Sequence, residues 1–177
     1  EIRPRDWSSD VCSSDLELAK TNLRREAQTR GIAPERVVFA AFAKLEDHLA
    51  RLKCADLFLD TFPVCAHTTA SDSLWAGLPL LTCSGASFVS RVAGSLLTTM
   101  GVPELITANL RDYETQALRL ARDPTALTEL RDKIAKARET TSLFNGAATA
   151  RKLERAYQTM WEAHTLGVKP QSFKVAE

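Results

Sequence analysis

Apolar residues repeat along the chain in two alternating patterns, and the alternation predicts the order of the elements. Short runs rich in β-branched, aromatic or leucine residues predict buried strands at 36–41, 55–59 and 79–82. Longer segments with apolar positions three or four residues apart predict helices before, between and after these strands. The predicted helices span residues 17–30, 45–53, 67–77, 87–100, 110–122, 124–139 and 148–166.

Strand and helix alternate three times, which predicts βαβ units. We therefore expect an α/β fold in which a parallel sheet has helices on both faces. After Gly101 the pattern predicts helices only. One of these helices begins with Asp123 as its N-cap and Pro124 in its first turn. The last helix carries an apolar stripe formed by Leu153, Tyr157, Met160, Trp161 and His164.

Residues 1–16 do not follow this pattern. They are rich in Ser and Asp, and they have neither apolar periodicity nor the apolar centre of a signal peptide. A disordered tail is one interpretation. Residues 6–16 also resemble one reading frame of a sequencing adapter, so we expect an artefactual leader. The remaining chain is then one lobe over 17–166, followed by a polar tail over 167–177.

The composition of the 177 residues narrows the function. Lys and Arg number 23 and Asp and Glu 22, a net charge of +1 that becomes +3 without residues 1–16. This balance argues against binding to nucleic acid or to an anionic membrane through bulk charge. No apolar run reaches the roughly 20 residues of a membrane span. Cys54, Cys65 and Cys83 lack metal-ligand spacing, which predicts buried reduced thiols and a cytoplasmic location.

A cluster of polar residues follows the second predicted strand, where a helix begins. In open parallel sheets, ligands bind beside such helix starts. His67, Thr68 and Thr69 stand there, so free N–H groups, the helix dipole and two hydroxyls favour a phosphate. Asp72 lies one turn further on and is suited to a ribose hydroxyl. A structural alternative stays open, in which Thr68 or Thr69 only caps the helix and Asp72 only favours its dipole.

A second candidate is His48, on the predicted helix 45–53. Arg51 lies three residues after it and Lys44 four before, so basic groups flank the imidazole. The alternative is a histidine that packs on the inner face of an amphipathic helix. Loop 84–87 is a weaker candidate because it contains a single glycine. The chain has no Walker A, GxGxxG, HExxH or GxSxG motif, and no carboxylate cluster suited to Mg²⁺.

Several segments resemble one family of glycosyltransferases. The two most specific are ADLFLDT at 55–61 and AHTTASDSLWAGLPLLT at 66–82. The resemblance is to the C-terminal catalytic lobe of the O-linked N-acetylglucosamine transferases, with the bacterial branch nearest, and it covers about residues 17–170. Supporting segments are SRVAGSLLTTMG at 90–101, PELI at 103–106, SLFN at 142–145 and LERAYQTMW at 153–161.

The resemblance implies a Rossmann-like parallel sheet with flanking helices, as the C-terminal half of a two-lobed GT-B glycosyltransferase. It implies inverting transfer of N-acetylglucosamine from UDP-GlcNAc to Ser or Thr of proteins, without a metal or another cofactor. Donors at the diphosphate would stabilise the charge on the leaving UDP. By position, the family's contacts fall on His67, Thr68 and Thr69 for the diphosphate, Asp72 for the ribose, and Ala43, His48 and Arg51 for the uracil.

Two positions depart from the family pattern. Leu45 stands three residues before His48, where the animal members carry a lysine, and Cys65 stands where the family usually has asparagine. The resemblance also implies partners that this sequence lacks, namely a first Rossmann-like lobe and tetratricopeptide helices. We therefore expect the chain alone to bind UDP weakly or not at all and to transfer nothing.

Two other functions stay open at this point. The chain could be a non-catalytic interaction module that keeps the fold but not the site. The departures at Leu45 and Cys65 favour this function, and the HTT-x-x-D element argues against it. It could also belong to a related nucleotide-sugar enzyme with a small-molecule acceptor, such as an epimerase or a glycolipid transferase.

Overall fold

The computed structural model describes residues 13–175. Most of the predicted leader, residues 1–12, lies outside this range, so its interpretation as an artefact stays a prediction. The chain divides into two compact units, one that ends at Glu46 and one that begins at Asp47. No helix within residues 13–175 has the length and apolar content needed to cross a membrane.

The first unit is built around helix α1, Ser13–Thr29. Gly31, with φ of 74°, follows the end of this helix, as the sequence predicts. A single 3₁₀ turn follows at Pro34–Arg36. The guanidinium of Arg24 lies 5.1 Å from the centre of the Phe39 ring, so a cation–π contact joins α1 to the segment after the turn.

The predicted strand at 36–41 is wrong. This segment forms no strand in the structure, and its Val38 is exposed. A β-branched and aromatic run becomes a strand only where a neighbouring strand accepts and donates its backbone hydrogen bonds. Within the described residues, the sheet consists of three strands, and none of them pairs with this run.

The remaining elements follow the predicted order with small changes of boundary. Single 3₁₀ turns at Phe88–Ser90, Pro103–Leu105 and Ser142–Phe144 connect some of them. The helices and strands are α2 (Leu45–Leu52), β1 (Phe58–Leu59), α3 (Thr68–Ala76), β2 (Leu80–Cys83), α4 (Val92–Thr99), β3 (Ile106–Thr107), α5 (Leu110–Ala121), α6 (Pro124–Thr140) and α7 (Gly146–Thr165).

The three strands of the second unit form a parallel sheet in the order β1-β2-β3. Phe58 pairs with Leu80 on the amino-terminal half of β2, and Thr82 pairs with Ile106 on its carboxyl-terminal half. The α/β class with a parallel sheet is thereby confirmed. The expectation of helices only after Gly101 is wrong, because β3 follows; its two residues are too few to show a strand period.

The core of the second unit surrounds β2, all four residues of which are buried. Helices α3, α4 and α5 pack on this strand, and α6 packs on α3 and α5. They do so through fully buried aliphatic side chains, each of which contributes roughly 1.5–3 kcal/mol through its removal from water. The central strand therefore gives the adjoining loops a rigid base. These side chains are Leu74 of α3, Leu97 of α4, Leu120 of α5 and Ile134 of α6.

The helix ends agree with the local sequence signals. Asp123 accepts a hydrogen bond from the Ala126 N–H at the start of α6, which confirms the predicted cap. Gly77, with φ of 81°, ends α3 in the left-handed conformation. The prediction of buried thiols holds for Cys65 and Cys83 but is wrong for Cys54. Cys54 follows α2, a helix without any buried residue.

Candidate functional site

The candidate site begins where β1 leads into a loop that a buried carboxylate holds in place. Asp60 Oδ1 accepts hydrogen bonds from the N–H groups of Thr61, at 2.8 Å, and Ala66, at 2.7 Å. Its Oδ2 accepts from the hydroxyl of Thr82 at 2.6 Å. Hydrogen bonds to a carboxylate are about twice as strong as neutral ones. Asp60 therefore fixes both ends of the loop 61–66 to the central strand.

Tyr113 ties helix α5 to the same loop. Its hydroxyl donates to the backbone carbonyl of Asp60 at 2.8 Å. Burial, and to a smaller extent the electrostatic effect of Asp60 and Cys83, raises the pKa of Tyr113 to about 12. The phenol is therefore a stable hydrogen-bond donor at neutral pH.

Cys65 connects the loop to helix α4. The side chain is 4% exposed, and its sulfur accepts a hydrogen bond from the Ala93 N–H at 3.4 Å. Its own N–H donates to the Val89 carbonyl at 2.9 Å. The residue that departs from the family pattern is thus part of the packing under the site.

The loop delivers three polar residues to the start of α3. His67 is the N-cap residue, and no side chain makes a capping hydrogen bond there. Thr68 and Thr69 occupy the first two helical positions and are exposed. The structure therefore does not support the alternative in which one of these threonines serves only as the cap. The first N–H groups of α3 have no partner within the helix and are available to an acceptor.

Asp72 lies one turn into α3 and is partly buried. This position leaves both of its interpretations open, since a carboxylate in the first turns of a helix favours the dipole and can also accept from a hydroxyl. His67, Thr68, Thr69 and Asp72 thus lie together on the first turns of one helix.

The imidazole of His67 contacts the loop that follows β2. Its Nε2 lies 3.4 Å from the Val89 carbonyl oxygen. The ring of Phe88 lies 5.9 Å from the imidazole, centre to centre, at an interplanar angle of 82°. An edge-to-face pair of this kind is a favourable arrangement of aromatic rings. The imidazole is therefore held from the side rather than left free at the end of the helix.

The second predicted group lies on α2. Arg51 donates a hydrogen bond to Nδ1 of His48 at 2.9 Å. Since an arginine can only donate, Nδ1 supplies a lone pair and Nε2 carries the proton of the neutral ring. His48 is half-buried, whereas Leu45, at the position of the family lysine, is 61% exposed. Ala43 belongs to the first unit and is partly buried there.

An open cavity of about 680 Å³ lies beside Ser84, which follows the carboxyl end of β2, and beside Ile106 of β3. Ser84 lines it, which places part of the weakly predicted loop 84–87 at a cavity. Arg91 and Ser95 supply polar groups, and Phe88 and Ile106 supply apolar surface. Because Phe88 also contacts His67, this cavity adjoins the start of α3.

The groups that support the site were not predicted from the sequence pattern. Asp60 directly follows a predicted strand, and an acidic residue at that point was a signal that could have been used. Phe88 and Val89 gave no signal, because their relation to His67 depends on how two loops meet. Among residues 13–175, no group of three or more His, Cys, Asp or Glu side chains is arranged to hold a metal ion.

Comparisons with known proteins identify the family of this chain. Residues 17–153 match the model of the family described as Glycosyl transferase family 41. The chain is 38% identical over 156 residues to an Arabidopsis thaliana protein named "Probable UDP-N-acetylglucosamine--peptide N-acetylglucosaminyltransferase SEC". It is 37% identical over 148 residues to the UDP-N-acetylglucosamine--peptide N-acetylglucosaminyltransferase of Caenorhabditis elegans.

A solved structure gives the same result at the level of the fold. A mutant of the Thermobaculum terrenum O-GlcNAc transferase matches 81% of this chain with a TM-score of 0.76 and 33% identity. The predicted Rossmann-like fold of a GT-B glycosyltransferase is thereby confirmed.

The chain spans only a small part of each of these proteins. It matches 16% of the plant relative, 13% of the nematode relative and 28% of the solved chain. The matched segments nevertheless cover 87%, 83% and 81% of this chain.

Proposed function

This chain belongs to glycosyl transferase family 41, and on that premise we propose that it is the donor-binding lobe of a protein O-GlcNAc transferase. The reaction is the inverting transfer of N-acetylglucosamine from UDP-GlcNAc to Ser or Thr hydroxyls of proteins. The observation that carries the proposal is the start of α3, where no side chain caps the helix and two exposed threonines follow His67.

This helix start suits the diphosphate of the donor. Its N–H groups and its dipole favour an anion, and the hydroxyls of Thr68 and Thr69 add two donors. When the bond between sugar and phosphate breaks, negative charge grows on the UDP leaving group. Donors that are already in place stabilise this charge, and removal of one costs about 3 kcal/mol, or roughly a hundredfold in rate. Asp60 keeps the loop in position for this role.

The nucleoside binds through residues on two helices. Asp72 accepts from a ribose hydroxyl one turn beyond the diphosphate. His48 and Arg51 contact the uracil, where the N–H on Nε2 of His48 can donate to a carbonyl oxygen of the base. For Ala43, the family pattern alone supports a role at the uracil. The other roles rest on the family pattern together with the hydrogen bond between His48 and Arg51.

The remaining parts of the proposal concern partners and location. We propose three partners, namely protein acceptors with Ser or Thr, a further Rossmann-like lobe and helical repeats. We propose the cytoplasm as the location, because the thiols of Cys65 and Cys83 form no disulfide. Of the two outcomes expected for the chain alone, weak UDP binding or none, we propose weak binding. It transfers nothing, since the acceptor side of the site comes from the other lobe. No metal is required, because hydroxyls, N–H groups and the helix dipole supply the positive potential.

The test is a titration of the isotope-labelled chain with UDP, followed by ¹H–¹⁵N NMR. We expect weak binding, with a Kd on the order of 1 mM, and shifts of the amides at the start of α3 and on α2. Addition of EDTA leaves UDP binding unchanged if no metal takes part. GDP binds more weakly than UDP if side chains of α2 contact the uracil. The absence of UDP-dependent shifts would favour an interaction module, and a requirement for a divalent ion would remove the metal-free mechanism.

A further inference from the structure

The loop that contacts His67 is itself firmly built. The N–H of Gly85 donates to the Ser90 carbonyl at 3.1 Å, and the Ser90 hydroxyl donates to the Ser87 carbonyl at 2.9 Å. The Val89 carbonyl accepts from the N–H of Cys65 at 2.9 Å. These bonds fix the Val89 carbonyl relative to the loop that ends in His67.

The Val89 carbonyl restricts the protonation of His67. A carbonyl oxygen accepts hydrogen bonds and never donates them, so Nε2 must carry a proton to face it favourably. A neutral imidazole with its proton on Nε2 has a lone pair on Nδ1. A protonated ring keeps the same bond and carries a second proton on Nδ1. In both states Nδ1 is the nitrogen left for a ligand: in the neutral ring it accepts from a hydroxyl, and in the protonated ring it donates to a phosphate oxygen.

Phe88 adds a second restraint on the same ring. Its side chain is 72% exposed, so burial in the core gives little reason for a phenylalanine here. Its ring packs edge-to-face against the His67 imidazole, with an angle of 82° between the two ring planes. Because the bond from Nε2 to the Val89 carbonyl is long, at 3.4 Å, the aromatic contact helps to hold the orientation of the ring.

We propose that Phe88 and the Val89 carbonyl together position His67, holding its proton on Nε2 and presenting Nδ1 to the donor nucleotide. Phe88 is thus a positioning residue that acts through His67. The identity of the ligand rests on the proposed function, whereas the state of the imidazole does not.

The proposal is tested on the full chain with ¹⁵N-labelled histidine. At about pH 8.5, two units above the ordinary histidine pKa of about 6.5, the nitrogen shifts distinguish the two neutral tautomers. We expect the proton on Nε2 of His67 in the wild type and a mixture of tautomers in Phe88→Ala. Phe88→Tyr keeps the ring and restores the wild-type spectrum. Tyr157→Ala, at another exposed aromatic residue, leaves His67 unchanged.

UDP titration of the same proteins provides a second readout. Phe88→Ala weakens UDP binding by roughly two- to tenfold, the range that follows from one aromatic contact. Phe88→Tyr binds UDP like the wild type, and the melting temperatures stay the same because the side chain is exposed. A wild-type proton on Nδ1, or an unchanged tautomer in Phe88→Ala, overturns the positioning role. Failure of the wild type to bind UDP overturns the proposed function instead.

Discussion

The carboxylate of Asp60 is buried between β1, β2 and the loop that leads to α3. It accepts three hydrogen bonds of 2.6 to 2.8 Å. In Asp60→Asn an amide NH₂ replaces one acceptor oxygen and faces a donor, so at least one buried donor loses its partner. We expect the free energy of unfolding to fall by about 3 kcal/mol, measured by urea denaturation.

Asp56→Asn is the matched control for this substitution. The Asp56 side chain is 92% exposed, and changes at exposed sites usually stay within about 0.5 kcal/mol. Equal losses of stability in the two variants would show that the buried hydrogen bonds of Asp60 contribute nothing particular to the fold.

Because of Tyr113, the free energy of unfolding depends on pH in the alkaline range. Its pKa is raised from 10.0 to about 12 in the folded chain. The folded state therefore holds the phenol proton more tightly than the unfolded state does. This contribution is complete below pH 10 and is lost as the pH rises towards about 12. We expect denaturant midpoints to fall over this range in the wild type and less in Tyr113→Phe. Parallel curves for the two proteins would exclude this linkage.

At the scale of elements, the loop between β2 and α4 depends on a glycine. A Cβ atom at Gly85 would lie 2.6 Å from Ser90 Oγ and 3.0 Å from Ser90 Cβ, and Ser90 is buried. We expect Gly85→Ala to destabilise the chain by about 1–3 kcal/mol through overpacking, as measured by urea denaturation. It should also weaken UDP binding, since the displaced loop holds His67.

Gly146→Ala tests whether the effect at Gly85 is steric. A Cβ atom at Gly146 meets no atom within 4 Å, and this residue begins helix α7. Alanine there should stabilise the chain by up to about 1 kcal/mol. A loss of stability at Gly146 equal to that at Gly85 would mean that crowding against Ser90 does not explain the result at Gly85.

Strands were harder to predict than helices, for a physical reason. Residues 79–82 stood out because β2 is buried throughout its length and needs an apolar run. The run at 36–41 is also mainly apolar, yet it has no paired neighbour in the described chain. β3 is two residues long and exists because β2 offers it hydrogen bonds. Helix signals are local, whereas a strand depends on a partner that the local pattern does not specify.

At the scale of the whole molecule, the sequence indicated the binding groups but not the groups that hold them. His67, Thr68, Thr69 and Asp72 follow a strand and open a helix, which is a local pattern. The contacts with Val89 and Phe88 join residues about 20 positions apart, across two loops. No periodicity encodes such a meeting of loops, so only the three-dimensional structure could reveal it.

Helix α7 carries apolar side chains that the core of this chain does not bury. The apolar stripe on this helix remains exposed, with Tyr157 at 64% and Trp161 at 66%. His164 contacts Trp161, with ring centres 5.8 Å apart. The core around β2 thus does not depend on burial of this stripe.

The most direct test of the central claim, that the start of α3 binds UDP, compares variants in a UDP titration followed by NMR. Thr68→Ala/Thr69→Ala removes both hydroxyls, and Asp72→Ala removes the ribose acceptor. The control Thr115→Ala/Thr128→Ala changes two exposed threonines on α5 and α6. We predict at least about tenfold weaker binding for the first two proteins, since a hydrogen bond to a charged group contributes about 1.5–3 kcal/mol, and wild-type binding for the control. Equal UDP affinity in all four proteins would contradict the site.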